Sequence, residues 1–378
     1  MPGCKREDVF DPFEVSVMHC WNRCVRRAWL CGVDPYTMKD YNYRRGWIKE
    51  RLKLLVKFFA IDVCFYALLS NHWHLVLRNR PDIVETWSDE EVVRRCLIIN
   101  QLAKSMDGKY REPSEAEINL AVKDQEKVAE YRKRLSHISH FAGSFGEYLG
   151  RRINADDLLS GTIWEDRFSC RRIEDDASLL TVGMYVDLNL VRAGESETPE
   201  GSEYTSIGDR IAALLQQLES ETGEKLSWQQ LSDGQIAAVA QPVSGDSNQN
   251  PAPLADSWLA PLTLDAGLDA DVRRGLTSVT GDRVSDRGVL PMSLLDYLQL
   301  VDEMGRQLVP GKSGAIPEHL TPILERLHIH PDRWLNTIRD FDKLFGRSVG
   351  RKQNVESRAK KNKRAWIRGV RNCAAAFN

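Results

Sequence analysis

The chain lacks any run long and apolar enough to read as a membrane span. Its longest apolar stretches, such as Val63 to Leu69, fall far short of the roughly 20 residues that a bilayer core requires. Met1-Pro2-Gly3-Cys4-Lys5 has no apolar centre of the kind a signal peptide carries. The eight cysteines (Cys4, Cys20, Cys24, Cys31, Cys64, Cys96, Cys170 and Cys373) have neither the paired spacing of a zinc ribbon nor that of a disulfide scaffold, and Cys20, Cys24 and Cys31, although close, match no common zinc motif. Reduced thiols and a cytoplasmic location are expected. No Gly-x-x-x-x-Gly-Lys-Ser/Thr loop is present, so chemistry driven by a P-loop nucleotide is excluded. There is no internal repeat.

What is present is an ordinary globular balance over 378 residues, 42% apolar and 28% charged, enough for a substantial core and more than one domain. The net charge of −2 hides an uneven distribution: residues 1–194 carry 30 basic and 29 acidic side chains, residues 195–300 carry 6 and 17, and residues 301–378 carry 16 and 8. A near-neutral sum therefore does not argue against nucleic acid, because local patches set the field that a phosphate backbone meets.

The stretch Ser70-Asn71-His72-Trp73-His74-Leu75-Val76-Leu77 places two histidines two apart in an apolar run. On a strand His72, His74 and Val76 share one face while Trp73, Leu75 and Leu77 share the other. Such a pair reads either as two ligands of a metal site or as packed core histidines. Downstream, Leu180, Met184, Leu188 and Val191 recur at helical spacing, with Gly194 where a C-terminal cap belongs. At an i, i+4 separation Tyr185 and Asn189 then share a face and can present a hydroxyl and an amide to one target.

His72-Trp73-His74, followed by Trp164-Glu165-Asp166-Arg167-Phe168 and then by Tyr185-Val186-Asp187-Leu188-Asn189-Leu190-Val191-Arg192-Ala193-Gly194, resembles the single-tyrosine HUH transposases, in particular the REP-associated tyrosine transposases. The resemblance covers roughly the first 210 residues and opens near Met18-His19-Cys20-Trp21-Asn22-Arg23, where the family has a strand ending in a similar Asn-Arg. It implies an α+β fold, an antiparallel sheet flanked by helices in a ferredoxin-like HUH palm. It further implies that His72 and His74 are metal ligands, Asn189 the third, amide-type ligand, and Tyr185 the nucleophile, with Mg²⁺ or Mn²⁺ as cofactor. The implied reaction is cleavage and rejoining of single-stranded or hairpin DNA through a 5′-phosphotyrosine, as in DNA transposition. Two departures stand out: Leu190 follows Asn189 where the family usually has proline, and the segment between the two motifs is longer than in compact members. A non-catalytic DNA-binding descendant and a water-using, metal-dependent phosphohydrolase are the competing readings.

In chain order, Glu14 to Leu30 reads as a strand with a basic exit. Arg45 to Phe59 reads as an amphipathic helix with Lys49, Arg51, Lys53 and Lys57 outside. Asp62 to Leu69 and His72 to Leu77 form an antiparallel pair, and Ser-x-x-Glu capping boxes begin helices at Ser88 and Ser114. One helix is expected from about Val128 to Ile153, with Leu135, Ile138, Phe141, Phe145 and Leu149 inward and Arg132, Lys133, Arg134, Arg151 and Arg152 exposed; His137 and His140 on it lack a partnering carboxylate or cysteine. Trp164, Arg167, Arg171 and Arg172 combine rings and guanidinium groups, either as a single-strand contact or as an exposed strand. Arg23 and Arg192 join them as expected DNA contacts through the family motifs.

The expected organisation is a catalytic domain over 1–210 with a helical insertion at about 80–135, an acidic helix and linker over 211–288, and a mainly helical C-terminal extension over 289–378. In that extension His328-Ile329-His330 reads as a structural turn before Pro331. From Arg347 to Arg371 ten basic residues, Lys360, Lys361, Lys363 and Arg364 among them, face Glu356 alone, as a solvated tail or a phosphate clamp. The expected assembly is a monomer or homodimer with no membrane partner.

Overall fold

A sheet buried on both faces organises a computed structural model that describes residues 10–25, 29–222, 253–264, 278, 281–307, 348–349 and 352–361. Strand β1 (Val17–Arg23) leads through helix α1 (Tyr43–Phe58) to β2 (Ile61–Leu68), and the turn at Ser70-Asn71 returns the chain as β3 (His72–Asn79). Five helices follow: α2 (Pro81–Thr86), α3 (Asp89–Lys104), α4 (Glu115–Val122), α5 (Gln125–Leu135) and α6 (Ile138–Asp157). Then come β4 (Ser169–Ile173), α7 (Asp176–Asp187), α8 (Asn189–Arg192), α9 (Ser206–Thr222), α10 (Leu294–Gln307), the two-residue β5 (Ser348–Val349) and α11 (Lys352–Lys361). The strand order is β2-β3-β1-β4-β5, antiparallel throughout except for the β4–β5 pair. The fold is therefore α+β, a four-stranded antiparallel sheet with helices on both faces.

One sheet face (Met18, Cys20, Tyr66, Trp73, Leu75, Leu77) packs in a core with α1, α3, α5 and α6, and the other (Phe65, Ala67, Val76, Ile173) in a core with α7, α9 and α10. Although β2 is the outer strand, all eight of its residues are buried. Its open edge is capped by Leu68 N donating to Tyr204 O (3.1 Å), Tyr66 N to Ser206 Oγ (3.1 Å) and Ala260 N to Val63 O (2.9 Å), which removes a template for intermolecular strand pairing.

Helices begin at both Ser-x-x-Glu sites, but only the second closes as a reciprocal box, because the Glu91 carboxylate turns to Arg94 and Arg95. Ser88 accepts from Glu91 N, and Ser114 and Glu117 cap each other reciprocally. The single helix expected over 128–153 is two, because His137 turns the chain and serves as N-cap of α6, its Nδ1 accepting from Ser139 N (3.1 Å). Arg51, expected on the outside of α1, is 2% exposed. Of the arginines expected to be exposed around that break, Arg132 is held by Val84 O, Trp87 O and Asp89.

The helices α2 to α5 occupy the expected insertion. Leu290, Tyr297, Leu298, Leu300, Val301, Met304 and Val355 belong to the same apolar cluster as α7, so these C-terminal residues continue the core around α7. Most of the 211–288 linker, with His328 and His330, lies outside the described residues. Among the described residues no helix is long and apolar enough to cross a membrane, and Cys20, Cys24, Cys31, Cys64, Cys96 and Cys170 are free thiols.

Candidate active site

The two innermost strands carry the histidines. Register places Trp21 opposite His74, Arg23 opposite His72, and His19 between Val76 on β3 and Arg171 on β4. Pleating puts residues paired across strands on one face, so His19, Trp21, Arg23, His72, His74 and Arg171 share it. Sequence reading selected His72 and His74 and passed over His19, Trp21 and Asn71. Counting alternate positions back from Arg23 along the predicted strand would have found His19.

Helix α7 lies over this face. Its N-cap Asp175 accepts from Ser178 N (2.9 Å), and every residue from Ala177 to Asp187 is buried. Glycine at 183 permits the approach, since a Cβ there would meet the Phe65 ring at 2.6–2.9 Å. Two residues on, the Tyr185 ring stands edge-on to His74 (centroids 5.5 Å) and His19 (5.9 Å), and is 7% exposed. The Arg192 guanidinium lies 5.3 Å from the Tyr185 ring centroid.

The helix expected to run unbroken to Gly194 is interrupted at Leu188 (φ −87°, ψ 2°), which separates Tyr185 on α7 from Asn189 at the start of α8. Gly194 takes the left-handed conformation (φ +71°) of a C-terminal cap. Below the break, buried Asp187 accepts from Ser206 Oγ, Ile207 N (3.0 Å) and Tyr297 Oη (2.6 Å), which ties α7 to α9 and α10; burial raises its pKa.

The histidine nitrogens are specifically engaged. His72 Nδ1 lies 2.6 Å from Asn71 Oδ1, an oxygen that only accepts, so Nδ1 is the donor of this pair. His74 Nδ1 lies 3.0 Å from His19 Nε2, while His74 Nε2 and Asn189 Nδ2 are buried with no hydrogen-bond partner. Burial, reinforced by His19, His72, Arg171 and Arg23, holds the His74 pKa well below its ordinary value; burial and then Arg171 do the same at His19. Both rings are neutral at pH 7, the state in which imidazole ligates metals.

The His72 and His74 imidazoles, two apart on β3, are donors of a kind that suits a divalent cation but do not by themselves complete its shell. Among the described residues no three His, Cys, Asp or Glu side chains form a metal-holding group.

The remaining expected contacts divide. Arg171 (3% exposed) faces the histidines, its guanidinium 5.2 Å from the Trp21 ring centroid, and Arg23 is exposed at the end of β1. Arg172 lies on the opposite sheet face in ion pairs with Glu174 (3.2 Å) and Glu14 (3.8 Å). Trp164 is half-buried, its Nε1 donating to Gly146 O (3.0 Å) and its ring edge-on to Trp73, so it anchors the loop before β4 to α6. Arg167 is exposed beside it. Lys360 is exposed on α11; Lys361 ends that helix, its side chain outside the description, and Lys363 and Arg364 lie outside the described residues.

No protein-family model, no curated protein and no solved structure matches the chain.

Proposed function

We propose that the chain cuts and rejoins single-stranded DNA with Tyr185 as nucleophile. The observation that carries the reading is the juxtaposition of three chemistries from distant segments: the Tyr185 ring 5.5 Å from His74, His74 beside His72 on β3, and Arg192 over the phenol. The succession βαββαβ with order β2-β3-β1-β4 supports a ferredoxin-like palm of the HUH kind, in which the histidine strand is central.

Phenol is a poor nucleophile near pH 7, because its pKa is about 10. Arg192 and Arg171 bring positive charge to where phenolate and pentavalent phosphate charge develop, which favours the ionised nucleophile and the transition state. His72, His74 and Asn189 would hold Mg²⁺ or Mn²⁺, which supplies Lewis-acid polarisation of the scissile phosphate. Tyr185 Oη forms the new bond to phosphorus. The bond to the 3′ oxygen breaks, that oxygen takes up a proton, and the product is a 5′-phosphotyrosine with a free 3′-hydroxyl. The reverse attack rejoins the strand without nucleotide hydrolysis. Exposed Arg23, opposite His72 on β3, and exposed Arg167 serve as backbone contacts, which orient a strand without reading its bases.

The test is incubation of the full chain with labelled single-stranded and hairpin oligonucleotides and Mn²⁺, followed by a denaturing gel. Wild type should give a denaturation-resistant shift that Tyr185→Phe abolishes while retaining binding. A shift that survives Tyr185→Phe moves the nucleophile elsewhere, and cleavage without a shift favours a hydrolase using water. The 7% exposure of Tyr185 favours one alternative, a DNA-binding descendant without catalysis, whose signature is binding with no cut.

A further inference from the structure

A second cationic site lies on the other side of the sheet, where α1 and α6 cover the face opposite the histidines. These helices, with the loop at Asp107-Gly108 and the segment around Trp258, enclose a cleft of about 820 Å³. Arg51 lines it, and its Nε, Nη1 and Nη2 are all buried without a hydrogen-bond partner. Its guanidinium lies 4.3 Å from the Tyr148 ring centroid. Arg152 also lines the cleft, 4.5 Å from the Trp47 ring centroid, and among the described residues donates to Met106 O (3.2 Å) and Tyr148 Oη.

Among the described residues no carboxylate forms an ion pair with Arg51 or Arg152. Of the acids that line the cleft, Glu50 is paired with Lys53 (2.9 Å), Asp107 with Lys109 (2.9 Å) and Asp282 with Lys57 (3.2 Å). Burial lowers the Arg51 pKa to about 10, opposed in part by Tyr148 and, more weakly, by Glu147 and reinforced by Arg151, so the group stays charged at neutral pH. A buried charge is tolerated when a counter-charge is present for part of its working cycle.

We propose that this cleft is an anion site, separate from the Tyr185 site, that takes the phosphate group of a phosphorylated ligand between Arg51 and Arg152. Two guanidinium forks match the donors that a phosphate needs, and stacking on Trp47 and Tyr148 holds both forks in place before the ligand arrives. The volume accepts a group as large as a nucleotide. The phosphate comes either from a free phosphomonoester or from a nucleic-acid backbone.

Calorimetric titration of the full chain with inorganic pyrophosphate tests this. Wild type and Tyr185→Phe should bind one equivalent alike, while Arg51→Met, which keeps the packing stem, and Arg152→Gln should each weaken binding at least tenfold. Arg51→Met should melt at or above the wild-type temperature without pyrophosphate, because an unpaired buried charge is gone, and should lose the upward shift that pyrophosphate gives wild type. A single-stranded oligonucleotide without a terminal phosphate that displaces pyrophosphate identifies the source as backbone; displacement by a mononucleotide alone identifies a free phosphomonoester. Absence of pyrophosphate binding, or equal binding by Arg51→Met and Arg152→Gln, overturns the proposal.

Discussion

His19 and His74 share a single hydrogen-bond axis, Nε2 to Nδ1 at 3.0 Å, on adjacent central strands. One nitrogen donates and the other accepts, so His19 sets the tautomer of His74. With the proton on His74 Nδ1, the buried Nε2 presents its lone pair, as a metal ligand requires. His19→Gln should therefore weaken Mn²⁺ binding about 10- to 100-fold, as loss of a ligand's supporting hydrogen bond commonly does. Titration calorimetry in the Tyr185→Phe background, with an uncut oligonucleotide bound, measures it; unchanged affinity would detach His19 from the site.

The same pair predicts acid sensitivity. Both imidazoles have folded-state pKa values held below the ordinary 6.5, so the unfolded chain binds more protons as pH falls. Their contribution is complete well above pH 6.5 and is lost as pH drops through 6.5 towards the lowered values, at up to about 2.7 kcal/mol per pH unit for two groups. Urea unfolding in chelator at pH 7.5 and 5.5 should show a pH slope shallower by about half that amount in His19→Gln than in wild type.

Gly183→Ala drives a Cβ into the Phe65 ring, which is fixed between β2 and α7. The expected cost is about 1–3 kcal/mol of overpacking in denaturant unfolding. Because Tyr185 follows two residues later, adduct formation should fall further than stability alone explains. Combining Gly183→Ala with Phe65→Leu should restore much of both.

Tyr297→Phe removes the hydroxyl that donates to Asp187 Oδ2 at 2.6 Å. It leaves a buried carboxylate short of one donor, at a cost of about 1–3 kcal/mol in chemical denaturation. A loss below about 0.5 kcal/mol would mean that the clamp between α7 and α10 is made by apolar packing instead.

Truncating the tail is a poor test of its charge, since Val355 on α11 is fully buried in the core around α7. Lys360→Ala is the cleaner change. If Lys360 meets a phosphate, the slope of log affinity against log salt should shrink by about 0.7–0.9, with no change in sequence preference. An unaltered slope assigns Lys360 to a solvated face.

Period-two patterning made β2 and β3 and the shared face of His72 and His74 legible, and Ser-x-x-Glu patterns marked two helix starts. What escaped notice depended on tertiary context. His137 ends one helix and begins another through a side-chain cap, which apolar periodicity does not register. Arg51 sits at a polar position of an amphipathic helix, yet Tyr148 on α6 covers it. The sheet face of Arg172 depended on register with β1, which only assembly of the strands sets.

The β4 edge closes through a ladder of two pairs, Arg172 with Ser348 and Ile173 with Val349, contributed from far along the chain. While a ribosome is still making the intervening residues, β4 has no such neighbour, and its backbone amides and carbonyls are open to a strand from another nascent chain. Synthesis at high local concentration is thus when this protein is most exposed to edge-to-edge aggregation, and slowing initiation should raise its soluble yield more than lowering the temperature of the finished protein.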